Sequence, residues 1–277
     1  MRSLSITSQP GGARALLNAP HLDVIGLAWL GQAGFALGYE NLQILLDPYL
    51  SDYLEKKYRG TDKPHERLMA APIQVQEVER LDFVICTHQH SDHMDPEALP
   101  ILASRCPASR FIVPMASQEH LSNLGVLDKQ ILGVNAPEKV LLSSMCSVEA
   151  IPSAHEALEK NERGEYRCLG YIIRLGSIAL YHSGDTVSYP GLAERVRHQV
   201  DLALLPINGR GKGVPGNFTF DEAVELCQLA EIPYLIPHHF GMFAFNTVDP
   251  RILEASVKQV ASPLCLIPMT NNLWIIR

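Results

Sequence analysis

No cysteine pair of the C-x-x-C kind occurs in these 277 residues. Cys86, Cys106, Cys146, Cys168, Cys227 and Cys265 stand far apart, most of them inside apolar runs where a thiol packs as a small hydrophobe, so a disulfide framework is not expected. No run of 18 apolar residues is present, which excludes a membrane-spanning helix. The first 20 residues contain Gly11-Gly12, Arg14 and two prolines but no continuous apolar stretch. They do not read as a secretory signal, and a cytoplasmic location is expected. Positive charge is also in short supply: 23 Lys and Arg against 30 Asp and Glu give a formal net charge of −7. With no basic stripe interleaved with aromatics, long nucleic acid and anionic membranes are poor partners and a small-molecule substrate fits better. Nothing in the chain sets an oligomeric state, and a homo-oligomer remains open.

What is present is an ordinary globular composition, 47% hydrophobic and 19% charged. The length would allow two domains, but mixed α/β layers of this size commonly form one, so a single domain over 1–277 is expected. Strand-like segments at 23–30, 34–39 and 42–47, separated by Gly31 and by Glu40-Asn41, predict an opening β-meander. Residues 51–72 mix charges and aromatics without a clear period and read as a surface excursion or lid. A strand at 82–86, a helix at 95–104, a strand at 110–114 and a helix at 117–124 follow. The second half repeats this order, with strands at 147–151, 166–175, 177–181, 201–206 and 234–237. Thr219-Phe220-Asp221-Glu222 is a capping box that opens an amphipathic helix. Asp249-Pro250 starts another helix, and strands at 264–268 and 273–276 close the chain. Two strand-rich, helix-finished halves suit two mixed β-sheets face to face with helices outside, a four-layer αββα sandwich.

The densest chemistry is Thr87-His88-Gln89-His90-Ser91-Asp92-His93, which follows the apolar run Phe83 to Cys86 and precedes the helix-opening Asp95-Pro96. In an extended segment His88 and His90 share one side, and the turn after them brings Asp92 and His93 to a neighbouring point. Imidazole and carboxylate groups packed this closely on a strand-to-helix loop predict a metal or catalytic site with room for two cations. Asp47, at the end of the third meander strand, is placed to receive an N–H from a ligand histidine, although Asp47-Pro48 also reads as a plain turn.

Further ligands are expected at later strand ends. His155 follows Ile151-Pro152-Ser153-Ala154, Asp185 sits in Ser183-Gly184-Asp185-Thr186 where the glycine lets the backbone bend, and His239 follows Leu235-Ile236-Pro237-His238. His182 alternates away from such a site and reads as structural. His21, His65 and His198 have no companions in sequence and read as surface residues.

With these residues in view the chain resembles the metallo-β-lactamase superfamily, whose H-x-H-x-D-H signature His88, His90, Asp92 and His93 match without a departure. Within it the chain is similar to the L-ascorbate-6-phosphate lactonase family at Trp29 to Phe35, Asp47 to Asp52, Ser183 to Thr186, Pro206 to Arg210, Gly216 to Phe218 and Pro237 to Phe243. His238-His239 stands where such families often carry a single histidine. Position in the P-x-H pattern favours His239 as the ligand and His238 as its neighbour.

The resemblance implies two divalent metal ions, Mn²⁺ or Zn²⁺, with His88, His90 and His155 on one, Asp92, His93 and His239 on the other, and Asp185 between them. A bridging hydroxide would attack a lactone carbonyl, with Asp92 as the catalytic residue that orients it or moves its proton. Asn208-Gly209-Arg210-Gly211-Lys212-Gly213 joins cations to a glycine-rich backbone that suits a phosphorylated sugar lactone, so Asn208 and Arg210 are the expected substrate contacts, although the stretch also reads as a flexible loop with solvated charges. A phosphodiesterase acting on a small phosphodiester or nucleotide is the enzymatic alternative. A metal-bound scaffold or sensor without turnover is the alternative of another class.

Overall fold

Apolar runs bounded by Gly, Pro or Asx turns become strands, and the capping residues Thr219 and Asp249 each open a helix. The computed structural model describes residues 3–19 and 21–277. They fall into two compact units, one made of 5–134 with 242–244 and 269–277, the other of 135–241 and 245–268 with residues 3 and 4.

The first unit runs β1 (Ile6–Pro10), α1 (Gly12–Leu17), β2 (Leu22–Gly31), β3 (Gly34–Glu40), β4 (Leu42–Leu46), α2 (Tyr53–Lys57), β5 (Phe83–Ile85), α3 (Ala98–Arg105), β6 (Arg110–Pro114), α4 (Gln118–Asn123) and β7 (Ile131–Val134). The second runs β8 (Lys139–Leu141), β9 (Cys146–Pro152), β10 (Leu169–Leu175), β11 (Ile178–His182), α5 (Leu192–Val196), β12 (Leu202–Pro206), α6 (Phe220–Leu229), β13 (Tyr234–His238), α7 (Pro250–Val257) and β14 (Leu264–Cys265). The last strand, β15 (Asn272–Ile276), returns to the first unit.

Each unit is built on one mixed sheet. In the first the order is β1-β15-β2-β3-β4-β5-β6-β7, antiparallel through the meander β2-β3-β4 and parallel from β4 to β7. In the second it is β14-β13-β12-β11-β10-β9-β8, parallel from β14 to β11 and antiparallel from β11 to β8. Two mixed sheets with flanking helices are the fold class that the alternation of elements implies.

Helix packing follows from small residues. Gly26 and Gly38 pair across β2 and β3, and a Cβ on either would come within 2.5 Å and 2.8 Å of Leu16 Cδ1. Helix α1 therefore lies directly on the sheet, with Ala13, Leu16 and Leu17 joining Ala28, Ala36 and Leu45 in a core completed by Ala98, Leu99 and Leu102 of α3. Burial on this scale is the main favourable term in folding. In the second unit α6 packs its Ala223, Val224 and Cys227 face towards β12 and β13. Its capping box is present, with Thr219 Oγ1 accepting from Glu222 N–H and Glu222 Oε2 accepting from Thr219 N–H at 2.8 Å.

Several elements differ from expectation for local reasons. Strand β1 is almost wholly exposed and pairs only with β15, so it carries no hydropathy alternation. Helix α1 is six residues long, too short for a periodic signal. The strand expected at 264–268 is confined to Leu264–Cys265 at the sheet edge.

The 51–72 excursion has a period after all. Half-buried Lys63, His65, Arg67 and Met69 alternate with exposed Pro64, Glu66, Leu68 and Ala70. Arg67 seats the segment, donating to Tyr49 O at 3.3 Å and Ser51 O at 3.0 Å with its guanidinium 4.8 Å from the Tyr49 ring. His65 is therefore not a surface residue: its ring stacks on Tyr58 at 4.2 Å and meets Phe243 edge-on at 4.9 Å. His21 also has companions, Asn41 and Asp23, although it stays exposed. Among the described residues no helix is long and apolar enough to cross a membrane.

Candidate metal centre

In the first unit, β5 hands the chain to the histidine-rich loop, and Asp47 at the end of the neighbouring β4 organises it. Asp47 is fully buried in a left-handed conformation, φ 40°. Its carboxylate accepts Thr87 N–H at 2.7 Å, Thr87 Oγ1–H at 2.7 Å and His93 Nδ1–H at 2.7 Å. Because Thr87 Oγ1 gives its proton to Asp47, it can only accept from His88 Nδ1–H, which lies at 3.1 Å. Both rings thus carry their proton on Nδ1 and their lone pair on Nε2. That is the tautomer a cation requires, set by a carboxylate behind the ring.

The loop then tightens. His93 N–H and Met94 N–H both donate to His90 O, at 2.9 Å and 2.7 Å, and the His88 ring lies 4.6 Å from that of His90 and 4.1 Å from that of His93. Asp92 Oδ2 accepts Gln32 Nε2–H at 2.8 Å and lies 3.8 Å from His93 Nε2. The exit is clamped by buried Asp95, which accepts from Leu50 N, Ser51 N, Ser51 Oγ, Glu97 N and Ala98 N. Asp95 thus performs the helix-opening role its position before Pro96 implies.

In the second unit the three later residues stand at strand ends. His155 follows β9, Asp185 follows β11 and His239 follows β13. Asp185 Oδ2 is 3.2 Å from His239 Nε2 and 3.7 Å from His155 Nε2. Positive φ at Gly184 (59°) and His239 (61°) makes the turns. Gly184 N–H donates to His182 Nδ1 at 3.1 Å, and the His182 ring stacks on His238 at 5.0 Å.

Each set suits a divalent cation by its donor chemistry: imidazole nitrogens beside a carboxylate, with His88, His93, Asp185 and His239 buried, His90 exposed, and the ring orientation of His88 and His93 fixed from behind. Zn²⁺ and Mn²⁺ both accept such a set.

The glycine-rich loop is more committed than its sequence implies. Asn208 gives Nδ2–H to Asn246 at 2.9 Å and accepts Asn217 Nδ2–H at 3.0 Å. Arg210 pairs with Glu222 and donates to Asn217 O at 2.9 Å. The Glu222 hydrogen bond holds the guanidinium pKa above its usual value. Burial alone would raise Glu222, yet Arg210 and Thr219 outweigh it and keep the carboxyl below its usual range. Lys212 donates to Asn208 O and Thr247 O, and burial lowers its pKa.

Residues that sequence reasoning gave no role include Gln32 and Thr87. Gln32 lies in the Trp29–Phe35 stretch that carried the family resemblance, and Thr87 immediately precedes the motif. Both signals were adjacency, not periodicity.

Comparison with known proteins places these features. Residues 43–240 match the family model of the beta-lactamase superfamily domain. A metal-dependent hydrolase of Archaeoglobus fulgidus is 28% identical over 239 residues, 84% of this chain and 90% of that protein. The mitochondrial N-acyl-phosphatidylethanolamine-hydrolyzing phospholipase D of Saccharomyces cerevisiae is 25% identical over 232 residues, 79% of this chain and 48% of that protein. Among solved structures, Igni18, a metallo hydrolase of Ignicoccus hospitalis, superposes with TM-score 0.66 at 19% identity, over 92% of this chain and 98% of that one. At that identity the likeness speaks for the fold: two mixed sheets with flanking helices.

Proposed function

This chain belongs to the beta-lactamase superfamily, and from that membership we propose that it is a metal-dependent hydrolase that holds a pair of divalent cations. His88, His90 and His155 would hold one cation, Asp92, His93 and His239 the other, with Asp185 shared. A single catalytic domain over 1–277 goes with that reading, supported by a family match that runs from 43 to 240. The observation that carries the proposal is the buried Asp47–Thr87–His88–His93 network, whose hydrogen bonds turn two Nε2 lone pairs away from the carboxylate.

Divalent cations held by these residues would supply hydroxide at neutral pH and charge for a developing oxyanion. The chain's own part is positional. Asp47 and Thr87 hold the imidazoles, Gln32 holds Asp92, and the Asp92 carboxylate carries the proton of the attacking water. No cysteine is needed as nucleophile, and buried Cys86, beside the motif, has its thiol pKa pushed well up by burial.

For the substrate we favour a small sugar lactone, with Mn²⁺ ahead of Zn²⁺, on the family-like stretches at 29–35, 47–52 and 206–210. A phosphorylated substrate would require Arg210 to exchange its Glu222 partner for phosphate. The yeast phospholipase D relative supports a second reading, hydrolysis of a small phosphodiester. Elemental analysis of protein purified without added metal, followed by glucono-δ-lactone and bis(4-nitrophenyl) phosphate as substrates, separates these. Faster lactone turnover supports the first reading and faster phosphodiester turnover the second. Metal-replete protein inert towards both would favour a sensor or scaffold.

A further inference from the structure

Strands β9 and β11 both run antiparallel to β10, which lies between them, so their carboxyl ends emerge at the same rim. The loops that follow carry His155 and Asp185. There is no slack between these loops and the sheet: a Cβ on Gly170 of β10 would lie 3.0 Å from His182 O, Ser183 Cα and Ser183 O.

Three hydrogen bonds sew the loops to each other. Ser153 Oγ–H donates to Ser183 O at 2.6 Å, Val187 N–H donates to Ala154 O at 2.8 Å, and Ala154 N–H donates to Thr186 Oγ1 at 3.0 Å. Ala154, the residue before His155, therefore has both backbone groups engaged by the loop that carries Asp185. Thr186, the residue after Asp185, supplies the one side chain among these contacts that reaches from the Asp185 loop back to the His155 loop. It is fully buried, and its hydroxyl gives its own proton to Val187 O at 3.0 Å. Its carbonyl accepts Phe218 N–H at 2.9 Å, which ties in the loop before α6.

We propose that Thr186 is a positioning residue whose hydroxyl sets His155 and Asp185 as a single preformed pair for the cation site. The proposal rests on the reading of those two residues as ligands. The hydroxyl suits the task because its lone pair and its proton are both committed, one to each loop, while the β-branched side chain restricts rotation about χ1. Valine has the same shape without either bond. Serine keeps the oxygen without the methyl. The two substitutions separate hydrogen bonding from packing.

The test uses the full chain and Zn²⁺ alone as probe, with affinity measured by competition against a chromophoric chelator and Tm measured on metal-free protein. Groups that orient metal ligands typically change affinity by about 10–100-fold when removed. Thr186→Val should weaken Zn²⁺ binding by about tenfold or more, whereas Thr186→Ser should stay within about threefold of the unsubstituted chain. Equal affinity in Thr186→Val and the unsubstituted chain overturns the inference. So does an equal loss in both variants, which would assign the effect to packing. Should Thr186→Val fail to fold, hydrogen exchange at the Ala154 amide of the unsubstituted chain replaces it. Exchange slowed by Zn²⁺ supports the coupling, and exchange indifferent to Zn²⁺ overturns it. An unsubstituted chain that binds neither Zn²⁺ nor Mn²⁺ defeats the metal reading itself, and this inference with it.

Discussion

His93 donates Nδ1–H to Asp47 Oδ2 at 2.7 Å with both side chains sealed from solvent. The pair joins the end of β4 to a loop 46 residues later and fixes which nitrogen of the ring carries the proton. Asp47→Asn leaves the shape but halves the acceptor capacity, so one of Thr87 and His93 loses its partner. Metal affinity should fall about 10–100-fold. Isothermal titration of metal-free protein with Zn²⁺ measures it, and unchanged affinity would remove Asp47 from the site.

Gly170→Ala tests the close approach of β10 to the Asp185 turn. The added methyl meets backbone at 3.0 Å on three atoms, and backbone does not move aside as a side chain end does. Overpacking of this kind costs about 1–3 kcal/mol. Tm should drop by several degrees, and Zn²⁺ binding should weaken in step because the displaced atoms belong to His182 and Ser183. A Tm equal to that of the unsubstituted chain would contradict the packing described.

Metal removal should destabilise the folded chain without unfolding it. A cation present at about 1,000 times its Kd adds about 4 kcal/mol to a state that binds it and nothing to one that does not. Addition of a strong chelator should therefore lower Tm by several degrees, and re-addition of Mn²⁺ or Zn²⁺ should restore it. A chelator-insensitive Tm in metal-containing protein would contradict coupling of the cations to the fold.

The Arg210–Glu222 pair gives a pH signature. The folded-state pKa of Glu222 lies below its ordinary value, so its contribution is complete above the usual carboxylate range and is lost as pH falls through the depressed value. The pair is part-exposed, and its effect is small. Glu222→Gln should lower Tm by about 2 °C at pH 7, and the difference should vanish in acid. The same variant releases Arg210. If that residue contacts phosphate, Glu222→Gln lowers KM for a phosphorylated lactone while Arg210→Ala raises it, and neither changes KM for an uncharged one.

Much of this was legible in the chain before any coordinates. The two mixed sheets with flanking helices follow from where apolar runs stop and caps begin, and the 88–93 loop stands out because charge-bearing side chains crowd the end of a buried strand. Gln32, Thr87 and Thr186 did not stand out, since a single hydroxyl or amide has no period and acquires meaning only from what the fold puts opposite it. His65 departs from the sequence expectation for a related reason. The alternation of its segment is carried by Lys63, His65 and Arg67, which a hydropathy pattern counts as exposed. Arg210 looked available because Glu222, twelve residues on, becomes its partner only when α6 forms.

Metal content of paired variants tests the proposed ligand set most directly. His90 and His155 are assigned to one cation, so His90→Ala, His155→Ala and the double variant should each retain about one equivalent where the unsubstituted chain holds about two. Loss of both equivalents in the double variant, with one lost in each single variant, would mean that the two histidines serve different cations and would contradict the account.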